Sequence, residues 1–255
     1  GGGHVLEGVP LTWTPLGVYH PYGNATVLNY AKGSALSVIS SPNFPDAFQQ
    51  GVASASLLGS YIVSLSAVKA DAGPLVATDR LDVLSSKNST FRPVDVEFGF
   101  DGALYVSDFS SLIIGHAQHA MRDPQWNHER GRIWRVTAQG RPLVSKPDLI
   151  HANANEWVRR LSSQEPWERA QAKSLLYRLP AKEAQAALSK VDLKQADLRL
   201  LYELSGVFAA HESPQPVIIQ RMLSSDDFHW RAWGAHLLCT WGPQLPETLT
   251  WLEKA

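Results

Sequence analysis

The apolar residues of this chain recur at two different periods, and the change falls near Pro147. Upstream they alternate. Val94, Val96 and Phe98 are interleaved with Asp95 and Glu97, the period of two expected of a strand with one buried face. Asp101-Gly102 then supplies a tight turn, since both residue types tolerate positive φ. Leu104–Val106 reads as the returning strand and Gly131–Val136 as a third. Leu11–Val18, Ala25–Tyr30, Ser34–Ile39, Val52–Leu58, Tyr61–Val68 and Leu81–Leu84 read as further short strands, separated by glycine, proline and asparagine. Turn-linked antiparallel strands repeated in this way build the blades of a propeller or the sheets of a sandwich. At roughly 45 residues per blade, residues 1–137 amount to about three blades. A ring of typically about 4–8 blades needs more chain, so the ring is expected to be incomplete.

Downstream the spacing becomes three and four. Glu156–Leu161, Trp167–Leu179, Glu183–Leu188, Asp197–Phe208, Val217–Leu223 and Trp230–Trp241 are expected helices, ended by Pro180, Ser213-Pro214 and Gly242-Pro243. Residues 162–176 also align without gaps onto residues 224–238, an offset of 62, with Ser162, Ser163, Arg169, Ala170, Leu175 and Leu176 matched identically. Half that offset is 31, and a helical run around Arg199 falls near the midpoint. Paired helices at this spacing resemble degenerate HEAT repeats, which stack into a solenoid. Ser162-Ser163 and Ser224-Ser225 are expected to mark helix N-termini, and the paired leucines to face the next helix. Trp230, Trp233 and Trp241 are expected to pack within and between repeats, the alternative being an exposed aromatic binding face.

Within the β part, residues 109–130 form an insert of 22 residues, longer than a compact β-domain needs for a connection. Leu112, Ile113 and Ile114 argue that it packs. His116 and His119, three apart, would share one face of a helical turn, and Asp123, His128 and Glu129 complete either a metal site or a base with its orienting carboxylate. The same residues also suit an Arg122–Asp123 ion pair pinning the insert, with His116 and His119 as hydrogen-bonded structural groups.

Composition narrows the partners. The net charge is −1, and Lys and Arg are scattered rather than clustered, which gives no reason to expect nucleic acid. No apolar run approaches the roughly 18–20 residues a membrane-spanning helix needs. The single cysteine, Cys239, excludes an internal disulfide and, within the apolar run LLCTW, is expected to be a buried small hydrophobe. Without Cys-x-x-Cys-His there is no c-type haem in this chain. The opening Gly-Gly-Gly-His carries neither initiator Met nor signal peptide, as expected of an internal piece of a longer protein.

Three runs carry a resemblance: Arg92–Asp108 (RPVDVEFGFDGALYVSD), Ile113–Pro124 (IIGHAQHAMRDP) and His128–Thr137 (HERGRIWRVT). Together they resemble the β-propeller of membrane-bound dehydrogenases abundant in planctomycetes and verrucomicrobia, which are similar in turn to sorbosone and glucose quinoprotein dehydrogenases. The likeness is strong from Phe91 to Pro142 and looser in Phe44–Gly51, similar to a Phe-Pro-x-x-Phe-x-Gly opening of the preceding blade. The chain departs from that family at Asp108-Phe109-Ser110-Ser111-Leu112, where relatives read Asp-Trp-x-Asn-Pro. It departs again at Asp123–Arg132, where one histidine and one acid of the family pattern are absent.

The resemblance implies a multi-domain β-then-α chain: C-terminal blades of a β-propeller over residues 1–147 and an α-helical HEAT-like solenoid over 148–255. It implies an extracytoplasmic quinoprotein-type dehydrogenase oxidising a sugar or polyol, with pyrroloquinoline quinone and calcium as cofactors and a cytochrome c domain outside this chain as electron acceptor. His116, His119, Asp123 and His128 are the catalytic candidates, the histidines as general bases, and Arg122, Arg130 and Arg132 are the candidates to hold the quinone carboxylates. The rival expectation is a non-catalytic propeller that grips carbohydrate or protein, with the repeats as a docking surface.

Overall fold

The computed structural model describes residues 4–6, 9–11, 32–58, 61–69, 76–112, 123–124, 129–246 and 250–251. Antiparallel sheets occupy the N-terminal part and, among the described residues, six α-helices the C-terminal part. The chain divides into two compact units, Gly1–Lys146 and Pro147–Ala255.

In the first unit, β1 (His4–Leu6) and β2 (Val9–Leu11) form a short hairpin. A four-stranded meander follows: β3 (Lys32–Val38), β4 (Val52–Leu58), β5 (Ile62–Lys69) and β6 (Val76–Ser85), hydrogen-bonded in chain order. A second meander joins β7 (Pro93–Phe98), β8 (Leu104–Asp108) and β9 (Arg132–Val136). Alternation fixes the register here. Val96 and Phe98 turn inward while Asp95 and Glu97 face solvent, and they pair with inward Val106 and Leu104 of β8. The turn between β7 and β8 closes at Gly102, whose φ of 77° is the conformation that glycine tolerates best.

The two sheets share one core. Ile39, Phe44, Ala53, Ala55, Val63 and Leu65 meet Val96, Phe98, Leu104 and Val106, with the rings of Phe44 and Phe98 edge to face at 5.2 Å. The central strand β4 is built of small residues, and Ala53, Ser54, Ala55 and Ser56 are all buried, so neighbouring layers approach closely on both of its faces. At its start a Cβ on Gly51 would stand 2.1 Å from the Ser66 carbonyl oxygen, which leaves room for glycine alone. Asn43 holds the loop before β4 to the segment after β9: its amide donates to the carbonyls of Arg141 and Pro142 and its Oδ1 accepts from Ala138 N–H.

The second unit contains, among the described residues, six α-helices: α1 (Ala154–Arg160), α2 (Pro166–Tyr177), α3 (Ala181–Leu188), α4 (Leu198–Ala210), α5 (Pro216–Leu223) and α6 (Phe228–Trp241). Each apolar stripe feeds a continuous core that includes Leu161, Leu176, Leu188, Leu204, Ile218, Leu238 and Trp241. Helix α1 packs on α2 and α3, α2 on α4, and α5 on α4 and α6. A buried carboxylate, Glu203 of α4, receives Arg169 Nε at 2.9 Å and Lys173 Nζ at 2.5 Å from α2.

The repeat at offset 62 is expressed bond for bond. Ser163 Oγ accepts from Glu165 N–H and Ser225 Oγ from Asp227 N–H. Arg169 donates to the carbonyls of Ser163 and Gln164, and Arg231 to those of Ser225 and Asp226. The serines therefore close the interhelix turns. The N-cap positions themselves belong to Glu165 and Asp227, of which Asp227 caps through its side chain, to His229 N–H.

Two expectations are corrected. Cys239 is exposed: the core face of α6 runs through Gly234, Leu237, Leu238 and Trp241, and position 239 lies off it. Leu112 is 51% exposed rather than packed, and Ile113 and Ile114 lie outside the described residues.

Candidate functional site

The inward positions of β8 are Leu104, Val106 and Asp108, so the period that buries two apolar side chains also buries a carboxylate. Its side chain is wholly enclosed. Oδ1 accepts from the backbone N–H groups of Arg92 at 2.8 Å and Ser110 at 2.9 Å; Oδ2 accepts from Arg132 Nε at 2.7 Å and Trp134 Nε1 at 2.9 Å. Burial alone would raise the pKa of this acid. The bonds from Trp134, from the backbone of Arg92 and Ser110, and from Arg132 outweigh it and hold the carboxyl below the usual aspartate range.

Around Asp108 the polar groups form a chain. Arg132 Nη2 donates to Thr90 Oγ1 at 2.9 Å, and the Thr90 hydroxyl donates to Asn88 Oδ1 at 2.9 Å. The Arg132 guanidinium lies 5.7 Å from the Trp134 ring. Arg92 is buried with its guanidinium 4.2 Å from the Tyr61 ring and donates to the carbonyls of Phe91 and Leu112; its Nε has no partner among the described residues. Ser110 takes φ of 53°, a conformation stabilised here by its N–H bond to Asp108.

Beside this network opens a cavity of about 480 Å³ lined by Thr90, Ser110, Glu129, Arg130, Gly131 and Arg132. Of the residues singled out from sequence, the structure brings Arg130 and Arg132 to it. Asp123 is half-buried and does not line it. His116, His119, Arg122 and His128 lie outside the described residues. Arg130 has no hydrogen-bond or ion-pair partner among the described residues, whereas two nitrogens of Arg132 are committed to Asp108 and Thr90. Among the described residues the cavity thus offers the guanidinium of Arg130 and the hydroxyl-bearing Ser110, beside a Thr90 hydroxyl whose proton is committed to Asn88, a set suited to anionic and hydroxyl-bearing ligands. Among the described residues no group of three His, Cys, Asp or Glu side chains converges.

Sequence reasoning passed over Asp108, Trp134, Thr90 and Ser110. The signal available was the acid at the third inward position of β8, where the alternation demands an apolar residue.

Together these features describe a two-part chain whose β unit holds an arginine-bearing polar cavity beside a saturated buried carboxylate. Residues 10–140, just over half of the chain, match a family described as a domain of unknown function (DUF7133), and the chain belongs to that family. No curated protein and no solved structure matches it. Among the described residues no helix is long and apolar enough to cross a membrane.

Proposed function

We propose that the chain is part of an extracytoplasmic quinoprotein-type dehydrogenase that oxidises a sugar or polyol and passes electrons to a cytochrome domain outside these residues. On this reading the two meanders are blades of a β-propeller and the six helices are three HEAT-like pairs of a solenoid. The observation that carries the proposal is Arg130, Arg132 and the Ser110 hydroxyl on one cavity, within the stretch that resembles the quinoprotein propellers.

Each residue then has a role. Arg130 pairs with a carboxylate of the quinone, and Arg132, fixed by Asp108, supplies its remaining Nη1 amine to the same cavity. His116, His119 and His128 are the candidates to take the substrate hydroxyl proton. When bound, the quinone supplies a two-electron acceptor for the hydride of the carbinol carbon, leaving a carbonyl product.

Calorimetric titration with pyrroloquinoline quinone and calcium tests this, repeated on Arg130→Ala and His116→Ala. Binding at about micromolar Kd, weakened roughly tenfold by Arg130→Ala, supports the proposal. Absence of binding by folded protein sinks it and favours a carbohydrate-binding module. One observation favours that second reading: Trp134, 37% exposed beside Arg132, offers an aromatic face on which a sugar ring can stack.

A further inference from the structure

Ser110 stands on the cavity wall in a conformation that serine rarely adopts. It is only 8% exposed, and its φ of 53° is a left-handed backbone that glycine takes more readily. Asp108 holds it there, since Oδ1 of that buried carboxylate accepts the Ser110 N–H at 2.9 Å. Among the described residues, the only fully enclosed side-chain nitrogen or oxygen without a hydrogen bond is Arg92 Nε. The Ser110 hydroxyl, also unbonded, is therefore open to the cavity that the residue lines. Hydroxyls on residues this deeply buried normally have a partner, and an unmet one on a strained backbone is a mark of a ligand site.

The other donors on the wall are already allotted, with one exception. Thr90 gives its proton to Asn88. Arg132 gives Nε to Asp108 and Nη2 to Thr90, and its charge is answered by Asp108. Arg130 has neither a hydrogen bond nor an ion pair among the described residues. An uncompensated guanidinium beside an unused hydroxyl calls for a group that is anionic and has two acceptor atoms, and a carboxylate is both. A neutral hydroxyl would satisfy the serine and leave the charge unanswered. Glu129 on the same wall weighs against a doubly charged group such as a phosphate.

We infer that Ser110 is a ligand-binding residue: its hydroxyl and the Arg130 guanidinium together receive one carboxylate of the bound ligand, carried either by a quinone or by a sugar acid. This role rests on the cavity being the ligand site, as proposed above, and not on the quinone itself.

The full chain is titrated by calorimetry with D-gluconate, pyrroloquinoline quinone, D-glucose and inorganic phosphate. At least one of the two carboxylates should bind, and whichever does names the source. Ser110→Ala should weaken that binding about tenfold, and Arg130→Ala by a similar factor. The double variant should lose less than the product of the two, because both donors serve one group. Ser110→Gly separates binding from folding: glycine is at ease at this φ, so the melting temperature should hold or rise while affinity falls as in Ser110→Ala. Binding of gluconate without the quinone sinks the quinoprotein reading and leaves the role of Ser110 standing. Binding of the quinone that neither Ser110 variant weakens does the reverse. The role is also overturned if neither carboxylate binds, if glucose or phosphate binds as tightly as the carboxylate, or if Ser110→Gly melts lower with its affinity intact.

Discussion

The carboxylate of Asp108 on β8 and the indole N–H of Trp134 on β9 meet at 2.9 Å across a diagonal of the sheet, since Asp108 pairs in register with Arg132. An acid at an inward strand position is therefore tolerated because four donors converge on it, one from the next strand's aromatic ring. Replacing Asp108 with Ala strands the Arg132 cation, the indole and two backbone amides. The expected loss is on the order of 3–5 kcal/mol in the β unit. Urea denaturation followed by tryptophan fluorescence measures it.

The same carboxyl sets a pH dependence. Its folded pKa is depressed, so its contribution is complete above the unfolded aspartate value of about 3.9 and is lost as pH falls through the folded value. Urea midpoints of the wild type should drop below about pH 4, while those of Asp108→Ala should fall less steeply over that interval. Parallel curves for the two proteins would refute the assignment.

Arg130 and Arg132 stand two residues apart on one cavity and should respond differently. Arg132→Ala removes the charge partner of a buried carboxylate and should destabilise by about 3 kcal/mol. Arg130→Ala should leave the melting temperature within about 1–2 °C, a surface substitution being worth roughly 0.5 kcal/mol or less. Thermal unfolding by circular dichroism separates the two.

Glu203 gathers two cations from α2 while itself nearly enclosed. Glu203→Ala should cost the helical unit about 3 kcal/mol, because Arg169 and Lys173 are then left facing each other, and Arg199→Ala, which uncovers the Ser162 and Ser163 carbonyls, about 1 kcal/mol. Guanidinium unfolding followed by the helical circular-dichroism band at ~222 nm reads both.

Two glycines make a control pair. Gly51→Ala would place a Cβ 2.1 Å from the Ser66 carbonyl oxygen and 2.8 Å from that of Phe48, both backbone atoms, and should destabilise by about 3 kcal/mol or more. Gly140 has φ of 77° but nothing within 4 Å of a Cβ, so Gly140→Ala should cost only the roughly 1 kcal/mol of a left-handed alanine. Comparable losses at the two positions would refute the steric reading of Gly51.

The helices were legible because their apolar spacing and their punctuation agree: Pro180 separates α2 from α3, and Ser213-Pro214 separates α4 from α5. The repeat was legible from identities at Ser162, Ser163, Arg169 and Leu176, and the bonds those residues make explain why they match. Strand β6 was under-read, at Leu81–Leu84 against Val76–Ser85, since Thr78, Asp79 and Arg80 interrupt the apolar pattern on an exposed edge of the sheet. The Asp108 network stayed hidden because its donors come from residues 92, 110, 132 and 134, brought together only by strand pairing. Cys239 was misplaced for a simpler reason: the hydrophobicity of LLCTW was counted, and the helical period within it was not.

That outward thiol makes the helical unit chemically addressable at a single point. With one cysteine in 255 residues, a maleimide dye couples to α6 and nowhere else, and oxidation can join two molecules but never cross-link one internally. The chain thus carries its own reporter position on the helical unit.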